Sequence, residues 1–281
     1  MGAPGPVAER TAAAPVQERC RVLGNRVVAP EHNLLTLATR EIGRRAQAGQ
    51  FAQIRVPGDA VFLPRPFSFL TAAGDRCTFL LRTIGPGTRA LACLAEGAEL
   101  ELLGPLGRGF DLAAAAACGE VIVVGGGVGV PPLMHATAEL APLTGTALIG
   151  AARGELLLCE EEFAARGWRV RVATDDGSRG HHGFVTELLE QALAAAPGGG
   201  VRPTTVLACG PHSMLRRCAE LATGAGAACQ VALEEPMACG FGVCLGCAIR
   251  VHSRHAEDPP GPAYALVCRD GPVFPAAQVL W

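Results

Sequence analysis

The sequence predicts a multidomain protein of the β plus α/β class. It should contain a six-stranded antiparallel barrel, a doubly wound parallel sheet and a small C-terminal domain. Short apolar runs separated by glycine, proline and aspartate occupy residues 16–112, and apolar runs alternate with helical patterns over residues 118–234. Three cysteines fall within nine residues of the closing segment, 235–281. Residues 1–15 show neither pattern and are expected to form a disordered tail.

Composition and charge limit the kinds of partner. The 281 residues carry 24 basic and 26 acidic side chains, a formal net charge of -2, without a basic block or an acidic tail. This balance argues against nucleic acid or an anionic membrane surface as the main partner. The first residues lack the apolar core of a signal peptide, and no apolar run reaches transmembrane length. We therefore expect a cytoplasmic protein whose twelve cysteines stay reduced.

The barrel prediction depends on six short β-like runs between Cys20 and Leu103. Glycine, proline or aspartate separates the runs, and one helix-like insert at residues 88–95 interrupts them. Strands at this spacing are typical of a small closed barrel. The runs read RVLGNRVV, LLTLAT, QFAQIRV, RPFSFLT, CTFLLRT and ELELL.

From Glu120 onward, strand and helix patterns alternate, which predicts a parallel sheet covered by helices. The strand candidates are VIVVGGG, TALIGAA, WRVRVAT, TTVLACG and CQVALEE. The helix candidates are PPLMHATAEL, the run 155–167, FVTELLEQALAAA and SMLRRCAELATGAG. His181 and His182 are expected in a solvated loop between two of these elements, with a proton relay or cluster ligation as the less favoured readings.

Three turns at strand ends predict a nucleotide crevice. The first contains Gly125, Gly126, Gly127 and Gly129 between a strand and a helix, where backbone N–H groups can face a phosphate. Its spacing is not the standard dinucleotide fingerprint, so a simple tight turn is the alternative. The other two turns are ATDDGS (173–178) and ACGP (208–211). Because the carboxyl ends of parallel strands share one edge, all three should line one crevice.

Two aspartates in the second turn bear on nucleotide preference. Asp175 and Asp176 could accept hydrogen bonds from a ribose and would repel a 2′-phosphate, which favours NADH over NADPH. Arg179 stands close by in the sequence and opposes that preference. The alternative role for both aspartates is to stabilise the turn itself.

The barrel contains motifs that fit a flavin nucleotide. RPFS (65–68) places an arginine and a hydroxyl on one strand, which could hold a pyrophosphate and a flavin ring. An edge strand with proline is the alternative. GPGT (85–88) opens the helical insert and could present N–H groups to a phosphate. GPLGRGF (104–110) either passes close under a cofactor or simply links the domains.

The cysteines of the closing segment follow the pattern Cys239-x4-Cys244-x2-Cys247, and twenty intervening residues separate Cys247 from Cys268. This is the plant-type spacing of [2Fe–2S] ligands. Zinc is the main competitor, although structural zinc sites usually show two short ligand pairs. Free thiols or disulfides are the third reading, and no pattern of a nucleophilic cysteine accompanies the group. Most of the other eight cysteines are expected to be small buried apolar side chains.

The order of these motifs resembles the ferredoxin–NADP reductase superfamily and, within it, the electron-transfer subunits of type B dihydroorotate dehydrogenases. The signature pieces are LEEPMACGFGVCLGCAI (233–249) and VCRDGPVF (267–274). The resemblance covers nearly the whole chain, from about Cys20 to the end. The chain departs from the family pattern at Pro236, where an arginine is usual, and in the tail FPAAQVLW.

The resemblance implies cofactor roles for specific residues. FAD would be bound by Arg65, Pro66, Phe67 and Ser68 together with Leu80, Leu81, Arg82, Gly87 and Thr88. NAD(H) would contact Gly125, Gly126, Gly127, Gly129, Pro131, Gly210 and Pro211. Cys209 would lie near the nicotinamide and, with Ser68, take part in catalysis. The ligands of the [2Fe–2S] cluster would be Cys239, Cys244, Cys247 and Cys268.

The resemblance also implies an electron relay shared with a second protein. Dihydroorotate would be oxidised in an FMN-binding partner subunit, and electrons would pass through the cluster and FAD to NAD⁺, serving pyrimidine biosynthesis in a heterotetramer. No residue set in this chain is expected to bind dihydroorotate. The small subunits of ferredoxin:NADP transhydrogenases and of sulfide dehydrogenases share the layout and are the alternative. An independent reductase and a non-catalytic zinc module also stay open.

Overall fold

The structure is a computed structural model that describes residues 14–58, 61–194, 203–253 and 263–281. The predicted tail therefore falls almost wholly outside the described residues. Within the described ranges, no helix combines the length and apolarity that crossing a membrane would require.

The first six strands form the predicted closed barrel, in the order β1-β2-β5-β4-β3-β6 with every neighbouring pair antiparallel. Alternation along β3 sends Ala52 and Ile54 into the barrel core, while Phe51 and Gln53 face outward. The strands are β1 (Val16–Ala29), β2 (His32–Ala38), β3 (Phe51–Arg55), β4 (Arg65–Ala73), β5 (Arg76–Arg82) and β6 (Glu99–Leu106). Two short helices interrupt them, α1 (Ile42–Arg45) and α2 (Pro86–Ala92).

The second region is the predicted parallel sheet, with helices on both faces. Ile122 and Val124 pack with one helical layer, whereas Val121 and Val123 pack with the other. The strands are β7 (Glu120–Gly126), β8 (Thr146–Ala151), β9 (Arg169–Thr174), β10 (His181–His182), β11 (Thr204–Cys209) and β12 (Ala228–Ala232). The helices are α3 (Leu112–Ala117), α4 (Val130–Glu139), α5 (Glu160–Ala165), α6 (Val185–Ala194) and α7 (His212–Gly224).

The closing segment does not build a core of its own. Cys247, Cys268 and Phe274 are buried in the same apolar cluster as Ile122 of the sheet. The segment contains β13 (Ala248–Val251), β14 (Ala263–Leu266), α8 (Val267–Asp270) and β15 (Val273–Pro275). β15 pairs antiparallel with β12, which gives a seven-stranded sheet in the order β10-β9-β8-β7-β11-β12-β15. The sequence pattern predicted neither this edge strand nor the β13–β14 hairpin.

Two local predictions are corrected. The helix expected over residues 155–167 begins only at Glu160, because Cys159 takes a left-handed backbone conformation with φ 61° and a separate turn covers Gly154–Leu156. The histidines expected in a loop form β10, where the Nε2 atom of His181 lies 2.5 Å from the Oε2 atom of Glu187. The last two residues of the predicted helix FVTELLEQALAAA lie outside the described residues.

Candidate functional site

A cavity of about 810 Å³ lies where the carboxyl ends of the parallel strands face the barrel. The turns after β7, β8, β9 and β11 all contribute to its wall, and β2 and β5 of the barrel supply the opposite side. Its principal polar lining residues are His32, Arg82, Asp175, Glu187, Glu190, Ser213 and Arg217. The structure therefore brings three of the turns singled out in the sequence into one crevice, as expected for parallel strands.

Close packing explains most glycines of the first turn. A Cβ atom on Gly129 would lie 2.3 Å from the carbonyl oxygen of Cys209, and one on Gly126 would lie 2.7 Å from the Sδ atom of Met214. A Cβ atom on Gly125 would meet Val130 at 2.9 Å. Gly127 is different, because it has φ 53° and open space where a Cβ atom would point. Of the four, Gly127 leaves the most room for a phosphate beside its backbone.

The two aspartates of the second turn have different surroundings. Asp175 lines the cavity. The Oδ1 atom of Asp176 instead accepts hydrogen bonds from the backbone N–H of Ser178 at 2.9 Å and from its hydroxyl at 2.6 Å. These bonds from Ser178 hold the pKa of Asp176 below its ordinary value. The guanidinium of Arg179 forms an ion pair with Glu160 at 2.9 Å. Asp175 thus faces the cavity, whereas Asp176 stabilises its own turn.

Cys209 ends β11 with a side chain that is 1% exposed and packed in the sheet core. Burial raises the pKa of its thiol well above the ordinary value, so the group stays protonated near neutral pH. Gly210 and Pro211 follow it, and Pro211 lines the cavity while Cys209 does not. Pro131 is likewise buried, at the first turn of α4. In this conformation Cys209 is a buried, uncharged thiol.

The flavin motifs of the barrel lie side by side. A Cβ atom on Gly87 would lie 3.1 Å from the Nε atom of Arg65, so the guanidinium sits directly over the start of α2. The hydroxyl of Thr88 accepts hydrogen bonds from the backbone N–H groups of Gly85 at 3.0 Å and Ile84 at 3.1 Å, which closes the helix terminus. Because Gly87 has no side chain, there is space beside the guanidinium of Arg65, and a pyrophosphate could fit there.

The remaining predicted flavin contacts differ in accessibility. Pro66 and Ser68 are half-buried and lie opposite Gln53 and Phe51 of β3. Phe67 packs against the barrel core. On β5 the side chain of Leu81 is fully enclosed in the barrel, so only the backbone of this residue can reach a cofactor. Leu80 packs towards the sheet domain, and Arg82 reaches the cavity.

The four cysteines of the closing segment come together as two pairs. The backbone N–H of Cys244 points to the Sγ atom of Cys239 at 3.4 Å, and that of Cys268 points to the Sγ atom of Cys247 at 3.4 Å. Cys247 and Cys268 are buried, at 2% and 1% exposure, whereas Cys244 is exposed. One pair therefore faces the protein core and the other lies towards the surface.

Backbone donors already favour a thiolate at the outer pair. Partial burial opposes ionisation of Cys239, but N–H groups of Cys244, Phe241 and Val243 outweigh it and lower its pKa to about 6. At the inner pair, burial and then the neighbouring Cys247 raise the pKa of Cys268 to about 12. A positive metal centre would reinforce the thiolate at Cys239 and offset the burial that raises the pKa of Cys268, because ligation replaces the proton with the metal.

This donor arrangement fits a two-iron cluster. A tetrahedral zinc site needs four donors around one point, whereas a [2Fe–2S] cluster is held by four thiolates, two on each iron. Two adjacent thiol pairs with N–H groups aimed at sulfur meet the second requirement.

The cysteine loop is anchored from several sides. The backbone N–H of Val267 donates to the carbonyl oxygen of Cys247 at 3.1 Å, and the aliphatic part of Arg269 covers Gly242. The connector GPLGRGF lies against the same segment, since a Cβ atom on Gly107 would come within 2.5 Å of the carbonyl oxygen of Gly271. The connector therefore does more than link two domains, because it also packs directly against the cysteine-containing segment.

Two residues near these sites were not singled out in the sequence. His32 of β2 lines the cavity and holds its Nδ1 atom 2.6 Å from the carbonyl oxygen of Pro30. Gln53 of β3 lies against Gly240 of the cysteine loop, with its side-chain amide buried. Strand alternation could have marked Gln53 as an outward-facing polar residue, but no sequence signal indicates which segment covers it.

Comparisons with known proteins agree with this architecture. Residues 234–280 match the family model of the iron–sulfur cluster binding domain of dihydroorotate dehydrogenase B. Curated relatives named dihydroorotate dehydrogenase B (NAD(+)), electron transfer subunit, include one from Caldanaerobacter subterraneus subsp. tengcongensis, 37% identical over 263 residues. That alignment spans 94% of this chain and 98% of the relative. The relative of the same name from Enterococcus faecalis is 36% identical over 94% of this chain and 98% of its own length.

Solved structures show the same fold at lower identity. A structure described as an NADH-dependent reduced ferredoxin-NADP oxidoreductase superposes with a TM-score of 0.76 and 23% identity, covering 93% of this chain and 90% of the other. A ferredoxin NADP+ reductase from Neisseria gonorrhoeae with bound FAD and NADP gives a TM-score of 0.60 and 18% identity over 75% and 92% of the chains. The barrel, the parallel sheet, the terminal cysteine domain and the extended sequence identity together place the chain in one family. It belongs to the electron-transfer subunits of dihydroorotate dehydrogenase B.

Proposed function

We propose that this chain carries electrons between an FMN-binding dihydroorotate dehydrogenase subunit and NAD⁺, through a [2Fe–2S] cluster and FAD. The observation that carries the proposal is the contact of the cysteine loop with the barrel strand beside the flavin motif. Gly240 lies against Gln53, and Gln53 pairs in register with Pro66. The proposed cluster and flavin sites are therefore neighbours in one molecule.

The proposed chemistry explains why the chain would need three sites. A nicotinamide exchanges two electrons as a hydride, an iron–sulfur cluster carries one electron at a time, and a flavin can do both. The protein contributes binding, orientation and electrostatics. Arg65 over Gly87 would hold the FAD pyrophosphate, Ser68 would bond the flavin ring, and Gly127 would admit the NAD(H) phosphates.

The charges around the cavity support NAD(H) as the nucleotide. Asp175, Glu187 and Glu190 contribute carboxylates, and the cavity cation Arg217 faces Glu190 at 3.5 Å and Glu220 at 3.6 Å. A 2′-phosphate placed beside Arg217 would meet the carboxylates that already pair with this cation, whereas Arg82, the other cavity cation, lies on the barrel side. Asp175 would accept hydrogen bonds from a ribose, as the sequence predicts.

The outer face of the cysteine loop supports a protein partner on that side. Phe241, Val243 and Leu245 are 50%, 72% and 62% exposed, and they surround the exposed Cys244. Large apolar side chains grouped beside a polar loop are typical of a protein contact. We place the FMN subunit on this face, which would put the outer cysteine pair between the two proteins. The family resemblance extends this to a heterotetramer in the cytoplasm.

The proposal is tested by co-purification of the chain with an FMN-containing partner, followed by an assay of dihydroorotate-dependent NAD⁺ reduction. Anaerobically purified protein should contain about two irons, about two acid-labile sulfides and about one FAD per chain. Zinc without labile sulfide would contradict the cluster. A different result would assign the chain to another electron-transfer partner. In that case the protein would oxidise NADH with a ferredoxin, and it would not reduce NAD⁺ with dihydroorotate even when the FMN-containing partner is present.

A further inference from the structure

Gln53 is an uncharged polar side chain in an unusual position. It is 2% exposed, and neither its Oε1 nor its Nε2 atom has a hydrogen-bond partner among the described residues. Buried amides are normally hydrogen-bonded, because burial without a partner removes their hydrogen bonds to water. The atoms that would satisfy this amide are therefore expected to come from a bound group.

The surroundings of Gln53 indicate which group that is. Gln53 faces outward from the barrel on β3, between Pro66 of β4 and Leu103 of β6 in the strand register. The cysteine loop covers it, because a Cβ atom on Gly240 would lie 2.7 Å from both the Cγ and the Nε2 atoms of Gln53. Gly240 has φ 82° and directly follows Cys239. The donor end of the amide is thus directed at the loop that holds the outer cysteine pair.

We propose that Gln53 donates a hydrogen bond from Nε2 to an inorganic sulfur atom of the [2Fe–2S] cluster, and thereby raises the reduction potential of the cluster. This inference depends on the proposed function, since it requires that the cluster be present. Gln53 is a positioning residue that belongs to the barrel yet acts on the terminal domain. The proposed hydrogen bond also explains the glycine at position 240, because a side chain there would displace the amide of Gln53.

The physical basis of the effect is the charge of the cluster. Reduction adds one negative charge that is spread over iron and sulfur, and an N–H donor stabilises the reduced form more than the oxidised form. Only the difference in strength between the hydrogen bond to the reduced cluster and that to the oxidised cluster affects the potential. We expect the equilibrium constant for one-electron reduction to be about tenfold larger with Gln53 than without it, which corresponds to about 59 mV.

Gln53→Met tests this inference, because methionine has a similar length and no N–H donor. The midpoint potential of the cluster in the purified holoprotein is measured by redox titration monitored by electron paramagnetic resonance. Gln278→Met is the matched control, since the Oε1 atom of Gln278 is also buried without a partner and the residue lies in the separate turn Ala276–Gln278. We expect about a tenfold decrease in the reduction equilibrium for Gln53→Met and no change for Gln278→Met.

A second measurement distinguishes a direct hydrogen bond from a change in packing. After exchange into deuterated water, pulsed electron–nuclear spectroscopy of the reduced cluster should show a strongly coupled exchangeable deuteron that Gln53→Met lacks. An unchanged potential and an unchanged deuteron signal in a fully loaded variant would overturn the inference. A shift confined to the flavin potential would overturn it as well. Protein that never acquires a cluster in any variant would instead contradict the proposed function.

Discussion

The nucleotide crevice and the cysteine loop are both rich in glycine, but for different physical reasons. In the crevice, Gly126 and Gly129 are needed because neighbouring backbone and side chains fill the space where a Cβ atom would stand. In the loop, Gly240 and Gly242 have φ 82° and φ 90°, a conformation that side chains strongly disfavour. Leu245 takes a similar angle, φ 60°, without being glycine.

This difference shows how each site is stabilised. The crevice is formed by core packing between the ends of β7 and β11. The loop exposes Phe241, Val243 and Leu245, whereas Cys247 and Cys268 are buried at its inner side. We infer that the crevice depends on the apolar core, whereas the loop depends on its metal cluster.

Cys247→Ala should give the largest effect among the variants that separate the cluster-dependent loop from the core-dependent crevice. Removing an inner thiol should abolish the cluster, and with it all dihydroorotate-dependent NAD⁺ reduction in the presence of the partner. The crevice and flavin strand do not depend on this thiol, so NADH oxidation by a two-electron dye should persist. Iron content, labile sulfide and both activities measure the outcome.

Cys218→Ala is the control for Cys247→Ala, because Cys218 is equally buried but lies in α7 of the sheet domain. It should keep its full iron content. If dye-linked NADH oxidation also disappears in Cys247→Ala, the loop supports the flavin site and the two regions are not independent.

Gly129→Ala tests the crevice. The new Cβ atom would lie 2.3 Å from the carbonyl oxygen of Cys209, a backbone atom that cannot move aside cheaply. Overpacking of this kind costs about 1–3 kcal/mol or more, so the melting temperature should fall and NADH binding should weaken strongly. Gly24→Ala is the control, since a Cβ atom there has open space, and its effect should stay within about 0.5 kcal/mol. Unchanged NADH affinity in Gly129→Ala would contradict a crevice built by packing.

Gly242→Ala tests the loop. Its φ of 90° should cost an alanine about 1–2 kcal/mol. This strain favours the opened loop, so a chelator should remove iron about 5- to 30-fold faster, with little change in NADH affinity. Gly246→Ala is the matched control, because its Cβ atom would make only an ordinary contact with Cys244 at 3.7 Å. Equal iron release from both variants would show that backbone strain does not limit the loop.

Asp175→Asn gives the smallest expected effect. In a crevice that is already formed, this change removes only the charge of one hydrogen-bond acceptor, so the KM for NADH should rise about fivefold. Asp176→Asn is the control, since Asp176 is engaged by Ser178, and it should leave the KM nearly unchanged. Steady-state kinetics with NADH and NADPH measure both. A larger effect at Asp176 would reverse the two roles.

Local patterns were enough to predict much of the molecule. The alternation of apolar residues predicted the barrel and the parallel sheet, because strand and helix periods differ. The spacing from Cys239 to Cys247, with Cys268 beyond, predicted an iron–sulfur loop. The run 155–167 failed because the left-handed conformation of Cys159 has no signal in the residue types. The sequence pattern also missed the β13–β14 hairpin and the edge strand β15, which joins the terminal domain to the sheet.

The sequence by itself determined which chemical groups this protein carries and the order in which they occur along the chain. Only the tertiary structure decided how those groups meet. Cys209 is buried away from the crevice, and of the two aspartates only Asp175 lines it. The four cysteines form two pairs, and Gln53 lies against Gly240. The physical reason is that residue types and spacing act over a few residues, whereas burial and contact depend on segments far apart in the chain.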